Sequence, residues 1–202
     1  MIKKIIFATG NAGKLKEIRE ILEGSGIEVV TMKEAGYDLD IVEDGKTFDE
    51  NALIKARTVA KASGEAAMSD DSGLSIDYLN GEPGIYSARF MGHDTSYDIK
   101  NAKLLEMLKD AKGDARSARY ECSVALVLPD GREFVKHETM EGLIANAPAG
   151  QNGFGYDPIF MLPQYGKTAA EISPEEKNKI SHRGKALRAM KEVIYKLNEE
   201  EK

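Results

Sequence analysis

The order in which the apolar patterns follow one another constrains this chain more than any other feature. Lys3–Ala8 is a strand-like run. It leads into ATGNAGKLKE, Ala8 to Glu17, and then into a helical period with apolar residues at Leu15, Ile18 and Leu22, three and four apart. Ile27–Thr31 reads as a second strand. Asp44–Gly45 is a turn, and Thr47 with Glu50 predicts a capping box opening a helix to about Ser63, closed by Gly64. Ala66–Ser69 predicts a short strand that ends at Asp70-Asp71-Ser72-Gly73, with a further strand over Leu74–Asp77. A helix is expected from Thr95 to about Leu108. A long strand over Ala118–Leu128, a turn at Pro129-Asp130-Gly131 and a returning strand over Arg132–Ile144 form an antiparallel hairpin. Ser173 and Glu176 form a second capping box with Pro174 at the first helical position. The last helix puts Leu187, Met190, Ile194 and Leu197 on one face, and the charged tail Asn198–Lys202 is expected to fray. The order β-α-β-α-β, then a hairpin and C-terminal helices, indicates an α/β protein with a mixed sheet. The hairpin is the candidate second lobe, and a cleft between lobes the candidate ligand site.

Composition narrows the function. The 202 residues suffice for one domain or two small lobes with a real core. The 28 Lys and Arg against 34 Asp and Glu give a net charge of −6, which argues against a nucleic-acid groove and leaves room for a local basic pocket. No apolar run approaches a membrane span, and Ile5–Ala8 is too short for the core of a signal peptide. The single cysteine, Cys122, forms no internal disulfide and reads as a small buried hydrophobe. A cytoplasmic address fits these features.

The stretch at Thr9, Gly10, Asn11, Ala12, Gly13 and Lys14 looks like half of a phosphate-binding loop. A P-loop fails on spacing: Gly10 and Gly13 lie too close, and Leu15 stands where a magnesium-binding hydroxyl is needed. The physics survives without that motif, because a helix N-terminus offers unpaired N–H groups and a positive dipole end. Thr9 and Asn11 are equally suited to plain helix capping. At Ser69–Leu74, alternation along a strand points Asp70 and Asp71 to opposite faces, so only one need face a ligand. Mg²⁺ takes a carboxylate or two beside water and phosphate oxygens, and Glu43 with Asp71 would supply them. Lys55 stands on the capped helix and matters if that helix faces the phosphate loop. In Gly150–Phe160, an aromatic on a glycine-rich loop can stack on a base; Phe154 and Tyr156 are candidates, as is Asp157 as acceptor from a ring N–H. Two core aromatics in a tight turn are the plainer alternative. Lys177, His182 and Arg183 fall at a helix–helix junction, and His182 lacks the His or Cys partners zinc requires. No Gly-x-Ser-x-Gly nucleophile is present. The inventory is that of a nucleoside triphosphate hydrolase that works by metal and position.

With these residues in order, the chain resembles the inosine/xanthosine triphosphate pyrophosphatases. The likeness covers nearly its whole length and rests on six stretches: Thr9–Lys14, Glu43–Asn51, Ser69–Leu74, Pro83–Arg89, Gly153–Asp157 and Ser181–Arg183. The resemblance implies one α/β domain over residues 1–202, with an elongated, curved mixed sheet, flanking helices, two lobes, a central substrate cleft and a homodimeric state. It implies Mg²⁺-dependent hydrolysis of ITP, dITP or XTP to monophosphate and pyrophosphate, a house-cleaning reaction on the nucleotide pool. By motif, Thr9–Lys14 and Lys55 hold the triphosphate, Glu43 and Asp71 bind the metal, and Asp71 accepts the proton. Ser72, Phe154, Gly155, Tyr156, Asp157, Lys177, His182 and Arg183 bind the rest of the substrate, mostly its base. A pyrophosphatase for modified pyrimidine nucleotides and a non-catalytic nucleotide- or RNA-binding module are the competing expectations.

Overall fold

A computed structural model describes residues 1–200, with the side chain of Ala12 left out; Glu201 and Lys202 of the charged tail lie outside the described residues. In chain order the elements are β1 Lys4–Phe7, α1 Ala12–Ile21, β2 Glu28–Thr31, α2 Phe48–Ser63, β3 Ala67–Ile76, α3 Tyr97–Met107, β4 Ser117–Val127, β5 Glu133–Ile144, β6 Phe160–Leu162, β7 Lys167–Thr168, α4 Pro174–Ile180 and α5 His182–Glu200. Among the described residues the strands form one sheet in the order β2-β1-β3-β4-β5-β6-β7. β1 runs parallel to β2 and β3, whereas β5, β6 and β7 are antiparallel. The protein is therefore α/β with a mixed sheet. No helix among the described residues is long and apolar enough to cross a membrane.

The chain divides into two compact units, one of Met1–Asp71, Cys122–Glu138 and Arg183–Lys202, the other of Ser72–Glu121 and Thr139–His182. The first unit shows why Ile5–Ala8 is apolar without alternation. β1 lies between two parallel neighbours and is covered on both faces, the condition that makes parallel strands continuously hydrophobic. Ile5 and Phe7 join Ile18 of α1, Leu22 just beyond its end, and Leu187, Met190 and Ile194 of α5. Ile6 and Ala8 join Ala52, Ala56 and Val59 of α2 instead. Cys122 is fully buried in the former cluster, where burial pushes its thiol well above the usual range. The second unit has one core, in which Leu74 and Ile76 of β3 meet Leu104 of α3, Tyr120 of β4 and Phe160 of β6. Buried Arg116 donates to the carbonyls of Leu108 and Ala111, beyond the end of α3, and to those of Ile144 and Ala145. It thereby supplies donors the helix terminus lacks.

Local expectations fare unevenly. Thr47 caps α2 by accepting from the Glu50 N–H, and Gly64 ends it in the left-handed region. The Glu50 carboxylate, however, accepts from Lys46 N–H, so only half of a capping box forms. The box at Ser173 and Glu176 is complete. α3 begins at Tyr97 with Ser96 as its cap, slightly later than Thr95. Two corrections are larger. Ala67–Ile76 is one unbroken strand, so Asp70-Asp71-Ser72-Gly73 is neither a strand end nor a turn. α5 continues through Asn198 to Glu200, and Asn198 donates to the Ile2 carbonyl at 3.1 Å, tying that end of the helix to the N-terminal segment.

Candidate active site

The first unit gathers a cluster of charges around β3. Asp70 and Asp71 are consecutive and point to opposite faces, as strand alternation requires. Asp70 Oδ2 lies 2.8 Å from Lys14 Nζ of α1 and 3.1 Å from Arg183 Nε of α5. Asp71 Oδ1 lies 3.4 Å from Lys55 Nζ of α2, and the same ammonium is 3.0 Å from Glu43 Oε2. Lys55 is thus no solvated surface lysine; it joins the two carboxylates proposed for the metal.

The electrostatics of the two aspartates diverge. Burial alone would raise Asp70, but Lys14 and Arg183 outweigh it and hold its carboxyl well below the usual carboxylate range. Burial dominates at Asp71, with Glu43 adding to it, and lifts that carboxyl above its ordinary range against the pull of Lys55. Burial also works against the Lys55 charge, yet Asp71, Asp70 and Glu43 overcome it and raise the ammonium above the usual lysine range. Asp71 Oδ2 is buried and without a hydrogen-bond partner. A buried acceptor left so is costly, and a divalent cation would satisfy it. The donor set fits Mg²⁺ in number and kind: two carboxylates, with water and phosphate oxygens to complete the shell. Among the described residues no group of three or more His, Cys, Asp or Glu is placed to hold a metal.

At the Thr9–Lys14 junction the structure shows the helix capping expected of Thr9 and Asn11. Asn11 is the N-cap of α1; its Oδ1 accepts from Gly13 N–H at 2.8 Å and Lys14 N–H at 3.3 Å, while Thr9 Oγ1 accepts from Asn11 N–H at 3.1 Å. The cap uses two of the donors an anion would meet, and the exposed loop keeps the positive end of the helix dipole. Gly10 has open space where a side chain would stand, which permits close approach to its backbone.

The second unit holds the remaining candidates. Asp157 is fully buried at the start of a 3₁₀ turn. Its Oδ2 accepts from Lys177 Nζ at 2.5 Å and from Phe154 N–H at 2.8 Å, and its Oδ1 accepts from Tyr120 Oη at 3.1 Å. These contacts organise the loop, so a ring N–H would have to compete with three internal donors. Phe154 is 62% exposed, and Lys177 Nζ stands 5.0 Å from its ring centroid. Tyr156 is buried and donates to the Ser87 carbonyl at 2.6 Å, so its side chain is a core aromatic. Gly153 has φ +73°, and a Cβ there would come 2.1 Å from Asp157 Oδ2; Gly155 has φ +69°. His182 opens α5 with its ring stacked on Tyr120, centroids 4.9 Å apart and planes 8° from parallel. Ser72 follows Asp71 on β3 and is the first residue of this unit.

Arg183 is the residue whose surroundings differ most from the sequence-based reading. Expected beside the base, it is buried in the first unit, paired with Asp70 and, through Nη1 at 3.2 Å, with Glu17. Three contributors carried no assigned role in the sequence: Asp70 as counter-ion, Tyr120 as support for Asp157 and His182, and Asn51. Only the first had a signal, the doubled carboxylate.

These features define a class: an α/β protein with an exposed strand–turn–helix junction and a paired-carboxylate, lysine-bridged cluster, together with an aromatic displayed on a glycine-rich loop. The chain belongs to the Ham1 family, whose model matches residues 5–193. It is 48% identical over 199 residues to the dITP/XTP pyrophosphatase of Clostridium perfringens, covering 96% of this chain and 98% of the relative. To the dITP/XTP pyrophosphatase of Escherichia coli strain K12 it is 45% identical over 195 residues, with 96% and 98% covered. Among solved structures, the HAM1 protein of Coxiella burnetii superposes with a TM-score of 0.91 at 43% identity, covering 97% of this chain and all of that one. The Staphylococcus aureus Ham1 protein gives 0.89 at 39%, with 96% and 98% covered.

Proposed function

We propose that this protein hydrolyses non-standard purine nucleoside triphosphates, dITP, ITP and XTP, to the monophosphate and pyrophosphate in an Mg²⁺-dependent reaction. The observation that carries the reading is the convergence of Glu43 and Asp71 on Lys55, with Asp71 Oδ2 buried and unsatisfied. Names borne by relatives at 45–48% identity over nearly the whole chain supply the substrate class.

Bound there, Mg²⁺ would neutralise phosphate charge and lower the pKa of a coordinated water. The protein's own groups do the rest. Glu43 and Asp71 hold the ion, and Lys55, kept charged by its acids, holds those carboxylates in register. Asp71 is the group assigned to take up the proton the water loses. Lys14 and the Thr9–Gly13 backbone bind the polyphosphate, Lys14 in an orientation set by Asp70. Stabilisation of developing charge by fixed donors is the main catalytic term such a site offers, since phosphoryl transfer needs positioning more than covalent chemistry. In the second unit, Phe154 stacks on the base, with Lys177 and His182 as polar contacts. Arg183 serves the substrate chiefly by fixing Asp70. Water attacks the α-phosphorus, its oxygen ends on the monophosphate, and pyrophosphate leaves.

Product analysis by anion-exchange chromatography tests this reading. IMP and pyrophosphate from ITP are expected, only with a divalent ion present; IDP and phosphate as first products would overturn it. We also propose a homodimer and a cytoplasmic site of action. The exposed apolar side chains of Tyr86, Met91 and Ile99 in the second unit support the dimer. Sedimentation at the 22.2 kDa of one chain would count against it.

A further inference from the structure

Asn51 lies in the first turn of α2 and is 1% exposed. It is one helical turn before Lys55, so the two residues share a face of that helix. Its Oδ1 accepts from Gly45 N–H at 2.9 Å. A backbone N–H can only donate, which fixes the carboxamide: oxygen toward Gly45, nitrogen the other way. That nitrogen, Nδ2, is buried and without a partner. Asp71 Oδ2 is an equally buried acceptor without one. Asn51 lies near enough to Asp71 to favour its charged form, though short of a regular hydrogen bond.

Gly45 shows how closely the loop that carries Glu43 is pressed to the helix. A Cβ at Gly45 would stand 2.6 Å from Asn51 Oδ1, 2.8 Å from Glu50 Cβ and 2.9 Å from Asn51 N. Only glycine fits, and its N–H is the group Asn51 grips. One carboxamide thus links the two parts of the cluster: one arm holds the loop two residues from Glu43, and the other leaves a donor on the side of Asp71.

We infer that Asn51 is a positioning residue, which sets Glu43 through Gly45 and orients Asp71, or the water between them, through Nδ2. The inference rests on the metal reading above, and two variants separate its arms. Asn51→Asp keeps an acceptor for Gly45 and deletes the donor; Gly45→Ala keeps Asn51 and pushes the Glu43 loop off the helix. Mn²⁺ is the probe ion, its binding followed by the free-ion paramagnetic resonance signal, alongside kcat and KM for dITP and thermal melting.

Asn51→Asp is expected to lower kcat about 100-fold, with KM little moved and Mn²⁺ affinity not reduced, since a carboxylate has been added. Gly45→Ala is expected to weaken Mn²⁺ binding about 10- to 100-fold, the usual effect of disturbing a group that supports a ligand. Wild-type kcat in Asn51→Asp beside a metal-dependent wild type overturns the inference alone. So does a pair of variants that only melt earlier, with turnover per folded molecule unchanged. A wild type that binds no Mn²⁺ and needs no divalent ion overturns the metal reading and the inference together.

Discussion

Asp70 and Asp71 are neighbours with opposite acid–base behaviour, and each predicts a different stability profile. Asp70 is held below the usual range by Lys14 and Arg183. Its contribution is complete above the unfolded-state pKa of about 3.9 and is lost as pH falls below that value. Asp70→Asn should cost about 3–5 kcal/mol at pH 7, because it leaves two cations without their buried partner. In denaturant titrations the difference from wild type should shrink below about pH 4, and a pH-independent difference would exclude the ionic origin. Asp71 is raised by burial and by Glu43, so the folded state binds its proton more tightly than the unfolded one. Its contribution is lost as pH rises above about 4. The melting temperature of Asp71→Asn should therefore gain on wild type between pH 4 and 7. Its turnover should fall at least 100-fold, within the range by which general acid–base groups act. Wild-type-like rates in that variant would remove Asp71 from the mechanism. Glu43→Gln should also lose activity and regain part of it at high Mg²⁺ if its role is metal affinity.

At the scale of elements, the glycine-rich loop before β6 is the part most dependent on a fixed backbone. Gly153 combines positive φ with a Cβ position that falls on Asp157 Oδ2, so Gly153→Ala must shift the loop that displays Phe154. Base–aromatic stacking is worth about 1–3 kcal/mol, so both Gly153→Ala and Phe154→Ala should raise KM about 5- to 150-fold. Initial-rate kinetics on dITP decide this, and a silent Gly153→Ala beside a damaged Phe154→Ala would show that the loop needs no fixed geometry. Much of this was legible locally. Helix starts at Thr47 and Ser173, the buried run of β1 and the loop itself are written in short-range chemistry. β3 was not. Asp-Asp-Ser-Gly favours a turn by local preference, but cations from α1, α2 and α5 compensate its carboxylates and let the strand run through. Tyr120 was invisible for a related reason: a tyrosine on a strand carries no mark of the Asp157 and His182 it supports. The partners of Arg183 were not legible either: it follows His182 directly, yet helical geometry turns successive side chains about 100° apart, and it pairs with Asp70 and Glu17.

For the molecule as a whole, base selectivity is the property that makes the activity useful. Hypoxanthine and xanthine present a 6-keto acceptor where adenine presents an amino donor, and Lys177 and His182 are the donors at hand. A site built to bond one group can reject an analogue lacking it by about 10⁴–10⁵. Guanine shares the keto group and is excluded only through its 2-amino group, where an unsatisfied buried donor costs about 1–3 kcal/mol. Pyrophosphate release is therefore expected in the order dITP and XTP, then GTP, then ATP; ATP turned over as fast as dITP would refute it. The division of the chain has a different consequence, one that concerns time. The first unit draws its core from three separated segments: Ile5 and Phe7 emerge early, yet Leu187, Met190 and Ile194, which cover them, follow about 180 residues later. At about 5–20 residues per second of synthesis, β1 waits on the order of 10–40 s for that cover. Until α5 arrives, an apolar strand and the Lys14–Asp70 pair have lost one whole wall of their surroundings, so a ribosome stalled between β5 and α5 holds a chain that a holdase chaperone should bind and a released full-length chain should not.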